Sequence, residues 1–308
     1  MSRPRLSVVI PCFNARERIS ELLRQLSHQT MPRDHYEIIV VDDGSTDGTP
    51  ERVRDVRDVI LIEQAQGGPG LARNVGAERA RGDYVLFMDA DLDVAGDLLE
   101  RHLEFHLAHP DVAATGGSVV PPHCLPLFSW VLVDHLSSWF NVHPKVTYHE
   151  PPEYLPSLNY CIDRRRVLDD HRIEWEPGLE HTGEDVLFCH ALRKQGLVIA
   201  FVEGAVVKHH DRATLESHLY HMFRWGYHAP FVRGRIPDLK YSFLFPRNPF
   251  LLLFTLPPIV LGYTFLIWKS WLAIRALAVT LSLPQILLGR CAYAWGVLRG
   301  SLARGKRE

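Results

Sequence analysis

The stretch Gly67–Asp91, GGPGLARNVGAERARGDYVLFMDAD, decides how this chain reads. A glycine-rich loop leads into a helix-forming segment, Gly70–Ala80, and the apolar run Tyr84–Met88 follows as a strand. Asp89-Ala90-Asp91 then stands at the strand's exit. Two carboxylates two residues apart at such a place can divide the work of holding a ribose hydroxyl and a divalent cation. Mg²⁺ and Mn²⁺ are hard ions that take oxygen from one or two carboxylates and from substrate phosphates. A DxD alone recurs by chance, so its neighbours carry the weight.

Upstream, Leu6–Ile10 (LSVVI) is a short β-branched run ending at Pro11, and Glu37–Val41 is a second strand. Between them Ile19, Leu22, Leu23 and Leu26 recur at helical spacing within 16–29. The polar turn Asp42–Gly48 follows the second strand, and Val59–Glu63 is a third, short one. Downstream, a helix is expected over Ala95–Ala108 and strands over Val112–Val120 and Leu158–Ile162. Arg164–Asp170 reads as a short helix. Thr182 is placed to cap a helix that stops at Gly196. Val198–Val202 and Ala205–Lys208 read as two short strands and Leu215–Tyr227 as a helix. Residues 121–156, rich in proline and aromatics, read as irregular.

This alternation predicts an α/β fold: a Rossmann-like, mostly parallel sheet flanked by helices. Ligands in such sheets bind beyond the carboxyl ends of the strands. Pro11–Asn14, Asp42–Asp47 and Asp89–Asp93 all fall at those ends, so the topology puts them on one rim.

Composition narrows the class. The 308 residues hold 34 Lys+Arg against 36 Asp+Glu, which speaks against a nucleic-acid-coating chain, and 46% hydrophobic residues speak against disorder. The charge is split: residues 1–239 carry −10, while 240–308 hold nine Lys+Arg and one acid, Glu308. Five scattered cysteines without a CxxC pair argue against a disulfide framework or zinc ribbon. The N-terminal apolar run is too short for a signal peptide, which predicts a cytosolic start.

From Asn248 the character changes. Phe250–Trp268 is 19 residues without a charge, close to the ~20 that cross a bilayer. A second apolar stretch lies between Trp271 and Leu298, interrupted by Arg275 and Arg290, and the chain ends in basic residues. A hairpin of two spans and helices lying in the membrane plane both fit. A buried soluble helix is the plainer reading, which Pro257-Pro258 is expected to break.

Taken in order, VVIPCFN (8–14), VVDDGSTDGT (40–49), the stretch 67–91 and HTGEDVLFCHALRKQG (181–196) closely resemble family 2 inverting glycosyltransferases. The resemblance covers about residues 6–228 and implies the GT-A fold and a nucleoside diphosphate sugar donor. It implies that Pro11, Asn14 and Asp43 hold the nucleobase, that Arg73 lies near base and diphosphate, and that Asp89 contacts the ribose. Asp91 becomes the metal ligand, with Mn²⁺ or Mg²⁺ as cofactor, and His209 approaches the metal. Asp185 becomes the general base and Glu184 helps place the acceptor.

His221-Met222-Phe223-Arg224-Trp225 is similar to the Gln-x-x-Arg-Trp signature of processive members, with histidine in place of glutamine. Arg224 and Trp225 are then donor or acceptor contacts, or anchors of an interfacial helix. Asn159 is a candidate for the sugar pocket. Turn formation and helix capping would account for Asp42, Asp43 and Glu184 without any ligand.

The expected architecture is a GT-A domain at 1–235 and a membrane-associated helical region at 236–308. The expected activity is inverting transfer of a sugar from a nucleoside diphosphate to a lipid-linked or glycan acceptor at the cytosolic membrane face. A polyprenyl-phosphate sugar synthase and a non-catalytic nucleotide-sugar-binding protein are the alternatives. A dehydrogenase fits less well, because Gly68-x-Gly70 would need glycine at 73, where arginine stands.

Overall fold

A computed structural model describes residues 3–121, 126–137, 155–177, 179, 182–210, 212–246 and 248–304. Most of the proline-rich segment (122–125 and 138–154), His181 of the HTGED motif and the basic end at 305–308 lie outside the described residues. The chain forms two compact units. One comprises Met1–Pro122, His143–Glu180 and Glu184–His210; the other comprises His123–Val142, His181–Gly183 and Asp211–Glu308.

In chain order the first unit contains β1 (Leu6–Cys12), α1 (Arg16–Leu26), β2 (Tyr36–Asp42), α2 (Thr49–Arg54), β3 (Val59–Glu63), α3 (Pro69–Arg79) and β4 (Tyr84–Met88). It continues with β5 (Leu92–Val94), α4 (Leu98–Ala108) and β6 (Val112–Val120). After α5 (Trp130–Ser137), which belongs to the second unit, come β7 (Asn159–Asp163), α6 (Glu184–Lys194) and β8 (Val198–His209). The strands form one sheet in the order β3-β2-β1-β4-β7-β6-β8-β5.

The expected parallel sheet holds from β3 to β4, where every pair is parallel. Beyond β4 the sheet is mixed. β7 runs antiparallel to both β4 and β6, and β5 runs antiparallel to β8. The registers Cys12↔Asp42 and Asp42↔Glu63 bring the exits of β1, β2 and β3 level. β1 and β2 are buried along their whole length, as their continuous apolar runs require. The core on one face gathers Val9, Val41, Phe87, Tyr160, Trp175 and Phe188. Gly76 lets α3 lie close on this sheet, because a Cβ there would fall on Val9.

Three local readings change. β8 is one strand rather than two, with a register shift against β6 at Gly117/Ser118 that absorbs the Glu203-Gly204 interruption. The three-residue β5 is too short to show a period of its own. Trp130–Ser137 is helical, within the segment read as irregular.

The second unit contains α5, α7 (Leu215–Arg235), α8 (Pro249–Leu281) and α9 (Leu283–Arg304). The expected division at 235/236 does not coincide with this unit, which includes α7. The reason is close packing: a Cβ on Gly296 or Gly300 of α9 would strike the carbonyls of Phe223 or Tyr227 of α7. Gly226 of α7 meets Tyr293 of α9 in the same way. α8 passes through Pro257-Pro258, contrary to expectation, and breaks instead at Arg275 (φ −139°, ψ 46°). Leu252 and Ile259, buried on either side of the prolines against Met222, Tyr293 and Val297, hold the helix on course where two N–H donors are missing.

Candidate active site

The first two strand exits are tied together by side chains. Asn14, in the left-handed region at φ 50°, accepts from Thr46 N at 3.0 Å through Oδ1, and its own N–H donates to Ser45 Oγ at 2.8 Å. Asparagine tolerates that conformation better than most residues. Pro11 is buried in β1 beside Val41. Asp42 is structural: its Oδ2 accepts from Ser45 N at 2.9 Å. Asp43 holds the loop before α3, with Oδ1 accepting from Gln64 Nε2 (2.7 Å) and Gly67 N (2.8 Å) and Oδ2 from Gly68 N (2.8 Å). The carboxylate expected at the nucleobase therefore also shapes the glycine-rich loop.

Arg73 is placed differently from expectation. Its side chain is only 2% exposed, and its charge is engaged by protein carboxylates rather than directed to the rim. Nη2 donates to Asp89 Oδ1 at 2.8 Å and Nη1 to Glu184 Oε1 at 2.9 Å, while the guanidinium lies 4.9 Å over the Trp175 ring. Such a pair of charge-assisted bonds suits the planar fork of arginine. Trp175 itself stacks on Phe188 of α6 (4.1 Å, 6°) and is fixed by Asn74, which bonds both its N–H and its carbonyl at 2.8 Å.

Glu184 and Asp185 open α6, after Gly183 at φ 93° turns the chain. Glu184 is buried; Oε1 is taken by Arg73 and Oε2 has no hydrogen-bond partner among the described residues. Burial, and then the negative charge of Glu184, raise the Asp185 carboxyl to about 7. Burial also raises Asp89, against the pull of Arg73. An acid titrating near neutrality beside a fixed charge is suited to taking up a proton in a reaction.

Asp91 sits three residues past β4, its side chain 42% exposed, and His209 at the end of β8 brings Nε2 to within 3.5 Å of Asp91 Oδ2. Pairing of Leu92 with His209 and a bond from His210 N to Asp91 O (3.2 Å) fix this approach. Beside it His210 Nε2 meets Asp93 Oδ2 at 3.0 Å. One carboxylate oxygen and one imidazole nitrogen at that separation fit a small divalent cation whose other ligands come from phosphate oxygens. Among the described residues no group of three or more His, Cys, Asp or Glu is arranged to hold a metal alone.

Asn159 is not a pocket residue. It is fully buried, donating to Ala205 O at 2.9 Å and accepting from His102 Nε2 at 2.9 Å. Arg224 and Trp225 lie on α7 in the second unit, with Arg224 over Tyr220 (5.9 Å) and Trp225 edge-on to His221 (4.5 Å). Asp134 of α5, unnoticed in the sequence, accepts from His218 Nδ1 at 2.7 Å and Arg212 N at 3.1 Å. Trp175 was likewise unnoticed, because it lies in the irregular stretch between the helical turn Arg165–Asp170 and α6, where no periodicity marks it.

The family described as glycosyl transferase family 2 matches residues 7–152, and glycosyl transferase family group 2 matches residues 84–297. A poly(ribitol-phosphate) beta-glucosyltransferase of Bacillus spizizenii is 40% identical over 107 residues, 33% of this chain and 17% of that protein. The glycosyltransferase AglE of Haloferax volcanii is 38% identical over 121 residues, 38% of this chain and 40% of its own. The chain thus spans well under two thirds of these relatives. Among solved structures, the Pyrobaculum calidifontis mannosyltransferase PcManGT, in complex with GDP-Man and Mn²⁺, superposes with a TM-score of 0.63 at 20% identity, covering 97% of this chain and 88% of that one. TarS 1–349 of S. aureus, in complex with UDP-GlcNAc, gives 0.54 at 18% identity, covering 98% and 92%. The mixed α/β fold is the GT-A fold of these structures.

Proposed function

The chain belongs to the family 2 glycosyltransferases, and on that premise we propose that it transfers a sugar, with inversion, from a nucleoside diphosphate sugar to a glycan or lipid-linked acceptor. The observation that carries the reading is the continuous chain Asp89–Arg73–Glu184, next to Asp185, within one unit. It joins the DxD turn to an acid held near neutral pKa.

In this mechanism Asp185 accepts the proton of the acceptor hydroxyl as that oxygen attacks the anomeric carbon from the face opposite the diphosphate. Glu184, immobilised by Arg73, fixes a negative charge beside Asp185 and helps place the acceptor. Asp89 orients the ribose, and Asn14 and Asp43 shape the base pocket. Asp91 and His209 are the residues that would hold Mn²⁺ or Mg²⁺, whose charge offsets that of the departing diphosphate. Relatives named as a poly(ribitol-phosphate) beta-glucosyltransferase and as a mannosyltransferase in complex with GDP-Man support a sugar donor and a polymer or glycan acceptor. The apolar helix Phe250–Leu272 supports a location at the membrane.

Binding and turnover test this separately. Nucleoside diphosphate sugars are titrated with and without Mn²⁺, and transfer is then assayed with lipid phosphate and glycan acceptors. Binding that tightens with Mn²⁺ and a transfer lost in Asp185→Asn support the enzyme. Binding with no transfer to any acceptor would make it a nucleotide-sugar-binding protein. Transfer to polyprenyl phosphate alone would assign the synthase reading.

A further inference from the structure

The second unit leaves open how α8 meets a bilayer. Its exposed side is apolar: Phe250 (75%), Phe254 (77%), Leu261 (62%), Phe265 (54%) and Leu272 form its central stripe, flanked at the start of the helix by the exposed Leu251 and Leu253. At 100° per residue the five of the stripe fall within about 60° of one another. The opposite side is covered by protein along the helix. Leu252 and Ile259 pack with Met222, Phe245, Tyr293 and Val297, and Ile267, Trp271 and Val279 pack with Leu132, Val133, Leu136 and Ile286.

Those covering elements are not lipid-compatible. Arg233 of α7 donates to Tyr263 OH at 2.9 Å, two residues past the midpoint of Phe250–Leu272, and lies 4.4 Å over Phe245. Arg290 of α9 is buried against Ser137 O at 3.0 Å. Were α8 to cross a bilayer, Arg233 would be carried to mid-depth, where arginine is among the costliest residues. The break at Arg275 shortens the straight helix as well. Charge completes the picture: apart from the buried Arg290, residues 240–304 contain six Lys+Arg and no Asp or Glu.

We infer that α8 does not span the membrane but lies in its plane, with the stripe Phe250, Phe254, Leu261, Phe265 and Leu272 sunk into one leaflet of an anionic bilayer. Helices of this kind bury one apolar face to the depth of the headgroup–acyl boundary while basic residues meet the lipid phosphates. The second unit then works as a one-sided anchor.

Vesicle binding by the full chain tests this without any turnover, so it stands apart from the proposed activity. On vesicles of phosphatidylcholine with 30% phosphatidylglycerol, the double variant Phe250→Asp, Phe254→Asp should bind at least about tenfold more weakly than the unaltered chain. Both positions are exposed, and an unchanged far-ultraviolet circular dichroism spectrum verifies the fold. Cysteines placed by Asn248→Cys and Ser270→Cys should both react with a membrane-impermeant maleimide added outside sealed vesicles. Protection of either one until detergent is added means a spanning helix and overturns the inference. Binding unaffected by the double variant overturns it too, as does equal binding to pure phosphatidylcholine. A dimer that dissociates in the double variant, without vesicle binding, would assign the stripe to a second copy instead.

Discussion

Arg73 shows how one residue's burial redirects its role. In a helix beside a glycine-rich loop it is expected near base and diphosphate, and 98% of its side chain is withdrawn from solvent between two acids and a tryptophan. Replacement by Lys keeps the charge but lacks the planar fork whose two nitrogens reach Glu184 and Asp89 separately, so kcat should fall while fold and donor affinity change less. Removing the base, Asp185→Asn, should lower kcat by about 10²–10⁴ with donor binding retained. The activity of the unaltered protein should rise with pH through about 7 as Asp185 ionises, and Glu184→Gln should move that limb to lower pH by removing the neighbouring charge. The stability sign is opposite. Between the ordinary 3.8 and about 7 the folded protein holds a proton that the unfolded chain has lost, so ionising Asp185 destabilises the fold as pH rises. Thermal unfolding at pH 8 should therefore find Asp185→Asn more stable than the parent, and the gap should close near pH 4.

Elements are joined by networks that pattern alone does not show. His102 of α4 accepts from Thr115 Oγ1 of β6 and donates to Asn159 of β7, both at 2.9 Å, and is fully buried. Burial lowers its pKa to about 4 and that of His106 to about 3. The unfolded chain takes up these protons first, so stability should decline as pH falls from 6.5 towards 4. His102→Ala leaves Asn159 Oδ1 without its donor, while Thr115 keeps His106 Nε2 at 3.2 Å, and should destabilise by about 1–3 kcal/mol in denaturant titration. In the second unit, Gly296→Leu would drive a side chain into the Phe223 carbonyl and should cost about 1–3 kcal/mol or separate α7 from α9.

For the molecule as a whole, ligand linkage is the most direct check. A nucleoside diphosphate sugar at 100 times its Kd should add about 2.7 kcal/mol to stability. That gain, read by thermal shift, should shrink when EDTA removes Mn²⁺ and in Asp91→Ala.

What could be read from the chain and what could not divides along a physical line. Strand and helix periods, the amide that follows β1 and the acids that follow β2 and β4 are local properties, because alternation and helical spacing are set by which neighbours face the core. They placed the sheet, the DxD turn and the acids of α6 without coordinates. The destinations of charged side chains are not local. Whether Arg73 meets phosphate or Glu184, 111 residues away, depends on α3 and α6 docking on one sheet face. Whether Asn159 lines a pocket or a core depends on His102 arriving from α4. Pro257-Pro258 likewise signalled a break that packing on Met222 and Tyr293 overrode, since two absent N–H donors weigh less than a buried apolar seam.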